Sequence, residues 1–166
     1  MELIQEVPDL SAYLAADEAI DHHHPLVRRT AARLARDAGD PRVTWRASDV
    51  LEQGTGVRYA KAHAPAALLR AEDIPTALCY QKFETVHGLV AVRFNGAWHR
   101  QDPRGNKPGV DAQFSLNEER LAFAPDPESN EMDYPVLYAE PHPVVLAALK
   151  AAPDRPYLWQ TLPTAL

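Results

Sequence analysis

The stretch GTGVRYAKAHAPAALLRAEDIP, residues 54–75, predicts a glycine turn that launches a helix, which ends before an Ile-Pro pair. Over residues 57–71 one face of this helix consists of small residues, which allows close packing on a sheet: Ala60, Ala64, Ala67, Leu68 and Ala71. Pro65 removes a backbone hydrogen bond from the middle of the helix, at a cost of about 3 kcal/mol unless a kink is accommodated. Arg58 puts a fixed cation at the positive end of the helix dipole, which favours anions, thiolates and phosphates.

Three β-rich segments follow the helix: TALCYQKF (76–83), HGLVAVRF (87–94) and AWHRQD (97–102). The first two are joined around Glu84-Thr85, and the last two by Asn95-Gly96, which is a strong hairpin signal. Because helices come first and an antiparallel meander follows, the sequence predicts an α+β fold with N-terminal helices packed on the meander.

Four further helices are predicted, covering residues 9–18, 25–39, 48–52 and about 143–150. Ser48 is expected to be the N-cap of the third helix and Gly54 to end it. The rest of the chain after residue 123 is typical of loops, and the acidic stretch DPESNEMD (126–133) predicts a solvated loop.

Composition and charge exclude several classes of protein. The formal net charge is −6 and the basic residues are dispersed among acids, so a nucleic-acid partner is not expected. The single cysteine, Cys79, rules out an internal disulfide and suits a reducing compartment. Residues 1–10 lack the pattern of a signal peptide, and no apolar run is long enough to cross a bilayer. We therefore expect a cytoplasmic protein without a membrane partner; the oligomeric state stays open.

His87 opens the second β segment and Asp102 closes the third. In adjacent antiparallel strands the start of one lies beside the end of the next, so we expect these side chains to be neighbours against the mouth of the 57–71 helix. A nucleophile at a helix start gains acidity from the dipole, and it needs a base from another element and a third group to orient that base. The layout is that of a Cys-His-Asp triad whose first member has changed.

Three stretches, LEQGTGVRYAKAHAPAALLRAEDIPTALCYQ, HGLVAV and WHRQDPRGNKPGVDAQFS, closely resemble the bacterial transglutaminase-like family, a branch of the papain-like cysteine enzymes. The resemblance implies one domain over residues 1–166, with a core at about 21–123 and a loop-rich segment with a helix at 124–166. It also implies a triad in which the histidine maps to His87, the aspartate to Asp102 and the cysteine to Arg58. No cofactor and no metal are expected.

The sequence departs from the family pattern in ways that affect function. Arg58 has no sulfur, and a permanent cation cannot be tuned into a nucleophile, so thiol-dependent acyl transfer or amide hydrolysis should be lost. Between RRTAARLA (28–35) and DPRVTWRASDVL (40–51) the family usually carries a further helix, which this chain lacks. The hairpin at Phe83–Val86 is shorter than expected, and Pro65 stands where the family pattern favours leucine. The leading hypothesis is a pseudoenzyme that binds a peptide or a small acyl or amine ligand. The alternative is an active cysteine-type acyltransferase or protease of which this chain is a variant.

Other candidate residues have two interpretations each. Arg58 is either an ordinary surface arginine or forms an ion pair with Asp102 or another acid that plugs the cleft. Trp45 either lines the cleft or helps an oxyanion hole, or it is a core or rim tryptophan. Cys79 is mid-strand and about 10 Å along the sheet from His87, so we interpret it as a buried packing residue. His22–His24 invite a metal interpretation, but three successive histidines favour a solvated loop.

Overall fold

An antiparallel sheet with one long helix on its face organises the chain. The computed structural model describes residues 2–5, 11, 13, 19–21, 41–104 and 108–166. The predicted helix at 25–39, the histidines at 22–24 and most of the predicted helix at 9–18 lie outside the described residues. The helices are α1 (Ala47–Gln53), α2 (Arg58–Ala71), α3 (Pro143–Ala151) and α4 (Arg155–Gln160). The strands are β1 (Ile4–Gln5), β2 (Thr76–Lys82), β3 (Val86–Phe94), β4 (Ala97–Gln101), β5 (Met132–Asp133) and β6 (Val136–Leu137).

The sheet has the strand order β4-β3-β2-β5, and β1 pairs with β6 in a separate parallel pair. The predicted meander of β2, β3 and β4 is confirmed, with antiparallel pairing throughout. Its second turn is formed by Asn95 and Gly96, both with positive φ (47° and 82°). This is the turn that the Asn-Gly pair predicts, because both central residues of a two-residue hairpin must adopt left-handed backbone angles. The chain is thus a mixed α+β fold.

Helix α2 is buried on almost every side, as its run of small residues predicts. Ten of its 14 residues are buried, and it packs against β2, β3 and α1. Pro65 is accommodated inside the helix, which continues unbroken to Ala71. Alanine side chains let the helix axis come close to the sheet, so the start of α2 touches the start of β3.

Helix α1 begins one residue earlier than predicted, and its N-cap is different. Arg46 is the N-cap and offers no side-chain cap, whereas Ser48 is already the second helical residue. Asp21 replaces the predicted cap: its carboxylate accepts from the Ser48 hydroxyl at 2.6 Å and from the Ser48 N–H at 3.2 Å. A carboxylate from a distant part of the chain can satisfy a helix start as well as a local serine. Gly54 ends the helix at φ 65°, as predicted.

The region after residue 123 is more ordered than the sequence predicts. The helix expected at about 143–150 is confirmed as α3, but β5, β6 and α4 were not predicted. The solvated-loop prediction for residues 126–133 is wrong in part: residues 127–129 form a short 3-10 helix, and β5 at the end of the stretch pairs with β2. Tertiary contacts fix this segment, which its composition alone does not show.

Two apolar clusters lie on opposite faces of the sheet. The larger one fills the space between α1, α2 and the face of the sheet that carries Leu78, Val90 and Val86. The smaller one contains Cys79 and Leu89, which are direct cross-strand partners on the other face. Among the described helices, none has both the length and the apolar character needed to cross a bilayer.

Candidate functional site

The structure brings His87 and Asp102 into direct contact. The His87 Nε2 and Asp102 Oδ2 atoms are 3.0 Å apart, and both residues are buried. The two strands are antiparallel, so the start of β3 lies beside the end of β4. Residues fifteen positions apart in sequence therefore come into contact. The neighbour relation inferred from the strand order therefore holds in the structure.

Asp102 is held as a carboxylate by several donors. Besides His87, it accepts from the backbone N–H groups of Arg104 at 2.9 Å and Ala122 at 3.2 Å. Burial alone would raise the pKa of Asp102, but the hydrogen bond and charge of His87, with these two N–H groups, hold it below its ordinary value. Asp102 can thus orient the imidazole without taking its proton.

The contact with Asp102 also determines which ring nitrogen of His87 carries the hydrogen and which one has a free lone pair. A carboxylate only accepts hydrogen bonds, so Nε2 carries a hydrogen and Nδ1 of the neutral ring presents a lone pair. Nδ1 is buried and has no hydrogen-bond partner among the described residues. Two aromatic rings flank the imidazole, with centroid distances of 6.2 Å for Phe83 and 6.0 Å for Phe123. His87 is therefore fixed in orientation and shielded from water, with one nitrogen unused.

Arg58 is the first residue of α2 and is only partly buried. Its Nη1 donates to the Thr85 hydroxyl at 3.4 Å, and its Cζ lies 5.7 Å from the centre of the Trp159 ring. Of the two interpretations of Arg58, the ion pair with Asp102 is not formed, and Asp102 is paired with His87 instead. No carboxylate of the described residues forms an ion pair with Arg58.

The first turn of α2 and the start of β3 are in direct contact, which joins Arg58 to the His87 pair. The Tyr59 hydroxyl donates to the Val86 carbonyl at 2.7 Å. A Cβ added to Gly88 would come within 3.2 Å of the Tyr59 ring, so only glycine allows this approach without displacement. The main chain on both sides of His87 thus lies beside residue 59. The imidazole itself is on the opposite face of β3 from Gly88, because successive side chains of a strand alternate between faces.

The structure does not connect Trp45 to this region. Its ring is covered by the Arg46 guanidinium at 4.2 Å and the Lys150 ammonium at 4.5 Å. Among the residues described, it forms no hydrogen bond or ring contact with the residues at positions 58, 87 or 102, so the oxyanion-hole interpretation gains no support. The tryptophan instead packs at the edge of the larger apolar cluster.

Cys79 is buried, as predicted, with 1% of its surface exposed. Burial raises the pKa of its thiol to about 12, which leaves almost no thiolate at neutral pH. It is in the smaller apolar cluster, two positions along β2 from Gln81, the residue opposite His87, so the predicted separation of about 10 Å along the sheet was too long. Cys79 is a packing residue rather than a substitute nucleophile.

Sequence reasoning missed a buried polar network beside His87. Gln81 is directly opposite His87 in the β2–β3 register, fully buried, and donates from Nε2 to the Asp133 carboxylate at 2.9 Å. Arg100 lies between two acids: its guanidinium donates to Glu119 twice at 2.6 Å and to Asp133 at 2.5 Å. Side chains two positions apart on a strand point to the same face, and cross-strand partners share a face. Counting along the strands therefore places Gln81 on the same face as His87, and Arg100 on the same face as Asp102.

A second missed feature lies across the site. The segment Arg155–Leu166, which we call the cover segment, comprises α4 and the six residues after it. Its Trp159 stands over Arg58, and its Pro163 carbonyl accepts a hydrogen bond from the Val86 N–H at 2.8 Å. Val86 directly precedes His87, so a stretch of main chain lies alongside the start of β3. No sequence motif marks this contact.

Comparisons with known proteins add a single solved structure. No protein-family model matches the sequence, and no curated protein is similar to it in sequence. A candidate cysteine protease from Cytophaga hutchinsonii superimposes with a TM-score of 0.48 and 17% sequence identity. The superposition covers 58% of this chain and 42% of that one, so it spans less than half of the other protein.

Acid should weaken the fold through Asp102. A carboxyl whose pKa is lower in the folded state stabilises the protein fully above the unfolded pKa, about 3.9, and this contribution is lost as the pH falls through the folded pKa. We expect the stability advantage of the wild-type protein over Asp102→Asn, measured by urea denaturation, to be constant from pH 7 to about 5 and to shrink below about 4. The exposed Asp111→Asn is the control, with a small difference at every pH. If the difference in unfolding free energy between the wild-type protein and Asp102→Asn stayed the same down to pH 3, the lowered pKa of Asp102 in the folded state would be contradicted.

Proposed function

We propose that this chain is a transglutaminase-like domain without thiol chemistry, which binds an extended peptide or a small acyl or amine ligand beside the His87–Asp102 pair. The observation that carries the proposal is the contact between the first turn of α2, which bears Arg58, and the segment Thr85–Gly88, which bears His87. This is where a helix-borne nucleophile would meet its base, and the residue present there is a guanidinium.

The loss of acyl-transfer chemistry follows from the residues available. Covalent catalysis of this class needs a thiolate within hydrogen-bond reach of the base. Arg58 cannot supply it, and Cys79 is buried on the face of the sheet opposite α2, with a pKa raised by burial. The proposed groove, between the first turn of α2 and the segment Thr85–Gly88, offers a cation at a helix start, which suits the carbonyl oxygen or carboxylate of a peptide or acyl group.

The alternative is an active cysteine-type acyltransferase or protease of which this chain is an Arg58 variant. The intact pair favours it: His87 is oriented through Nε2, its Nδ1 is unused, and Asp102 remains a carboxylate. Under this alternative, restoring a thiol at position 58 is sufficient for turnover.

The test combines turnover with binding. The probe is acetyl-tetraalanine p-nitroanilide, a neutral peptide amide whose cleavage releases a coloured product. We expect no cleavage above the buffer rate, and no change on His87→Ala, whereas titration of the probe shifts the backbone NMR signals of Arg58, Val86 and His87. Cleavage by the wild-type protein that disappears in His87→Ala would reject the proposal. Absence of any shift at these three residues, both in the wild-type protein and in Leu162→Asp with Leu166→Asp, would reject the binding role.

A further inference from the structure

The cover segment lies across the proposed groove, against the first turn of α2 and the start of β3. Its outer part runs from Trp159, near the end of α4, to Leu166. The Arg58 guanidinium lies over the Trp159 ring, 5.7 Å from its centre, and four residues later the Pro163 carbonyl accepts from the Val86 N–H at 2.8 Å. A main-chain hydrogen bond to the start of a strand gives a peptide affinity, and a side-chain contact at a fixed spacing gives it specificity.

The cover segment is anchored firmly at one end and loosely at the other. Arg155 donates to the Thr55 hydroxyl and to the Arg42 carbonyl, and Leu158 is fully buried. Beyond Gln160 the described part of the chain holds the segment by two hydrogen bonds, from the Val86 N–H to the Pro163 carbonyl and from the Leu166 N–H to the Tyr134 hydroxyl at 3.1 Å, and by the partly buried side chains of Leu162 and Leu166. Trp159 remains 48% exposed. A stretch with few buried contacts is the kind that opens locally while the rest of the fold stays intact.

We propose that residues 159–166 are a built-in competitor that covers the proposed groove, and that the groove binds a peptide of the same shape, with an aromatic residue at the end of a helical turn followed, four positions later, by a carbonyl that accepts from the Val86 N–H. The inference rests on the proposed function, because it names the ligand class and the regulation of that same groove. An outside peptide gains access only when the cover segment opens.

The size of the competition follows from tethering. A segment held by a short link acts at an effective concentration of about 1 mM. A separate peptide of the same sequence competes with the tethered segment for the same surface. Its apparent dissociation constant for the closed protein is therefore larger than that for the open protein, by the ratio of the effective concentration to the dissociation constant for the open protein. For a peptide that binds the open groove at about 0.1 mM, the penalty is roughly tenfold.

The experiment opens the segment in the full chain. The open variant is Leu162→Asp with Leu166→Asp, because both leucines pack against the larger apolar cluster. The matched control is Thr164→Asp with Ala165→Asp, which makes the same charge change at two exposed positions of the same segment. The probe is the acetylated and amidated peptide LWQTLPTAL, and the readouts are its affinity and the hydrogen-exchange rate of the Val86 amide.

We expect Val86 to exchange faster in the open variant than in the control, and saturating peptide to restore the slow rate. The peptide should bind the open variant at least tenfold more tightly than the control. Equal affinity for both variants, or a Val86 amide that saturating peptide leaves unprotected, would overturn the inference. In either case binding of the alanine probe could persist, so the failure of this inference is distinct from the failure of the proposed function.

A second pair of variants keeps the inference testable if the aspartate variants do not fold. Trp159 and Tyr157 are on the same helix and are equally exposed, at 48% and 47%. Only Trp159 contacts Arg58. We expect Trp159→Ala to speed exchange of the Val86 amide about two- to fivefold, which is the size that an exposed cation–π contact supports, whereas Tyr157→Ala should leave the rate unchanged. An unchanged rate in Trp159→Ala overturns the inference.

Discussion

Replacing Arg58 with cysteine is expected to produce a thiol that iodoacetamide alkylates at least about tenfold faster at pH 7 than an ordinary exposed cysteine. The new thiol would stand on the first residue of α2, where the helix dipole stabilises a thiolate, and next to the strand that bears His87. A cysteine in such a place titrates well below its free value of about 8.5, so most of it is ionised at neutral pH. The measurement is the alkylation rate by mass spectrometry.

Cys79 serves as the internal reference in the same protein. It is buried, and its pKa of about 12 leaves it protonated, so it should stay unmodified while the fold is intact. The wild-type protein, which contains only this cysteine, should therefore incorporate no label until it is denatured. Labelling of Cys79 in the native protein would show that the sheet opens and would invalidate the comparison.

The role of His87 is measured by adding His87→Ala to the Arg58→Cys protein. The cover segment hinders access to position 58 equally in both proteins, so the ratio of their rates isolates the effect of the imidazole. We expect the ratio to be about ten or more if Nδ1 acts as the base for the thiol. Equal rates would mean that His87 does not reach the start of α2, and both candidate functions would lose their geometric basis.

The sequence predicted three of the four strands of the sheet because their signals are local. The Asn95-Gly96 turn, the apolar runs of β2 and β3, and the small residues of α2 each act over a few positions. The contact between His87 and Asp102 follows from the strand order with no further information. For these parts, hydrophobic pattern and turn chemistry agree with the tertiary structure.

What the sequence did not predict depends on contacts between distant residues. Asp21 caps α1 from 27 positions away, and Asp133 joins Gln81 and Arg100 across two strands. Neither has a spacing signature, because the partners are brought together only by the complete fold. The cover segment is the clearest case: Pro163 lies 77 positions after Val86, and nothing in either neighbourhood indicates that they bond. Composition classed this region as loops because short strands and helices are stabilised by packing rather than by propensity.

The largest effect on stability is expected from the loss of Arg100. Its side chain is 5% exposed, and its guanidinium is shared between Glu119 and Asp133. Burial alone would lower the pKa of Arg100, but hydrogen bonds to these two carboxylates raise it, so the group stays charged in the fold. Arg100→Met preserves much of the apolar volume while it leaves two carboxylates without their shared cation. Removing one member of a buried charge network costs about 3–5 kcal/mol, and we expect the free energy of unfolding to fall by an amount near the lower end, because Glu119 is half-exposed and can be hydrated.

Arg120 provides the matched control for this prediction. It also bonds two carboxylates, Asp111 and Glu118, but all three side chains are substantially exposed. Water replaces such surface pairs at little cost, so Arg120→Met should change the free energy of unfolding by less than about 1 kcal/mol. Urea denaturation of the two variants measures both values under identical conditions. If Arg100→Met were as mild as Arg120→Met, the Glu119–Arg100–Asp133 network would not hold β4 to β5. Asp102, which directly follows the strand of Arg100, would then depend for its position on the hairpin and on its own three hydrogen bonds.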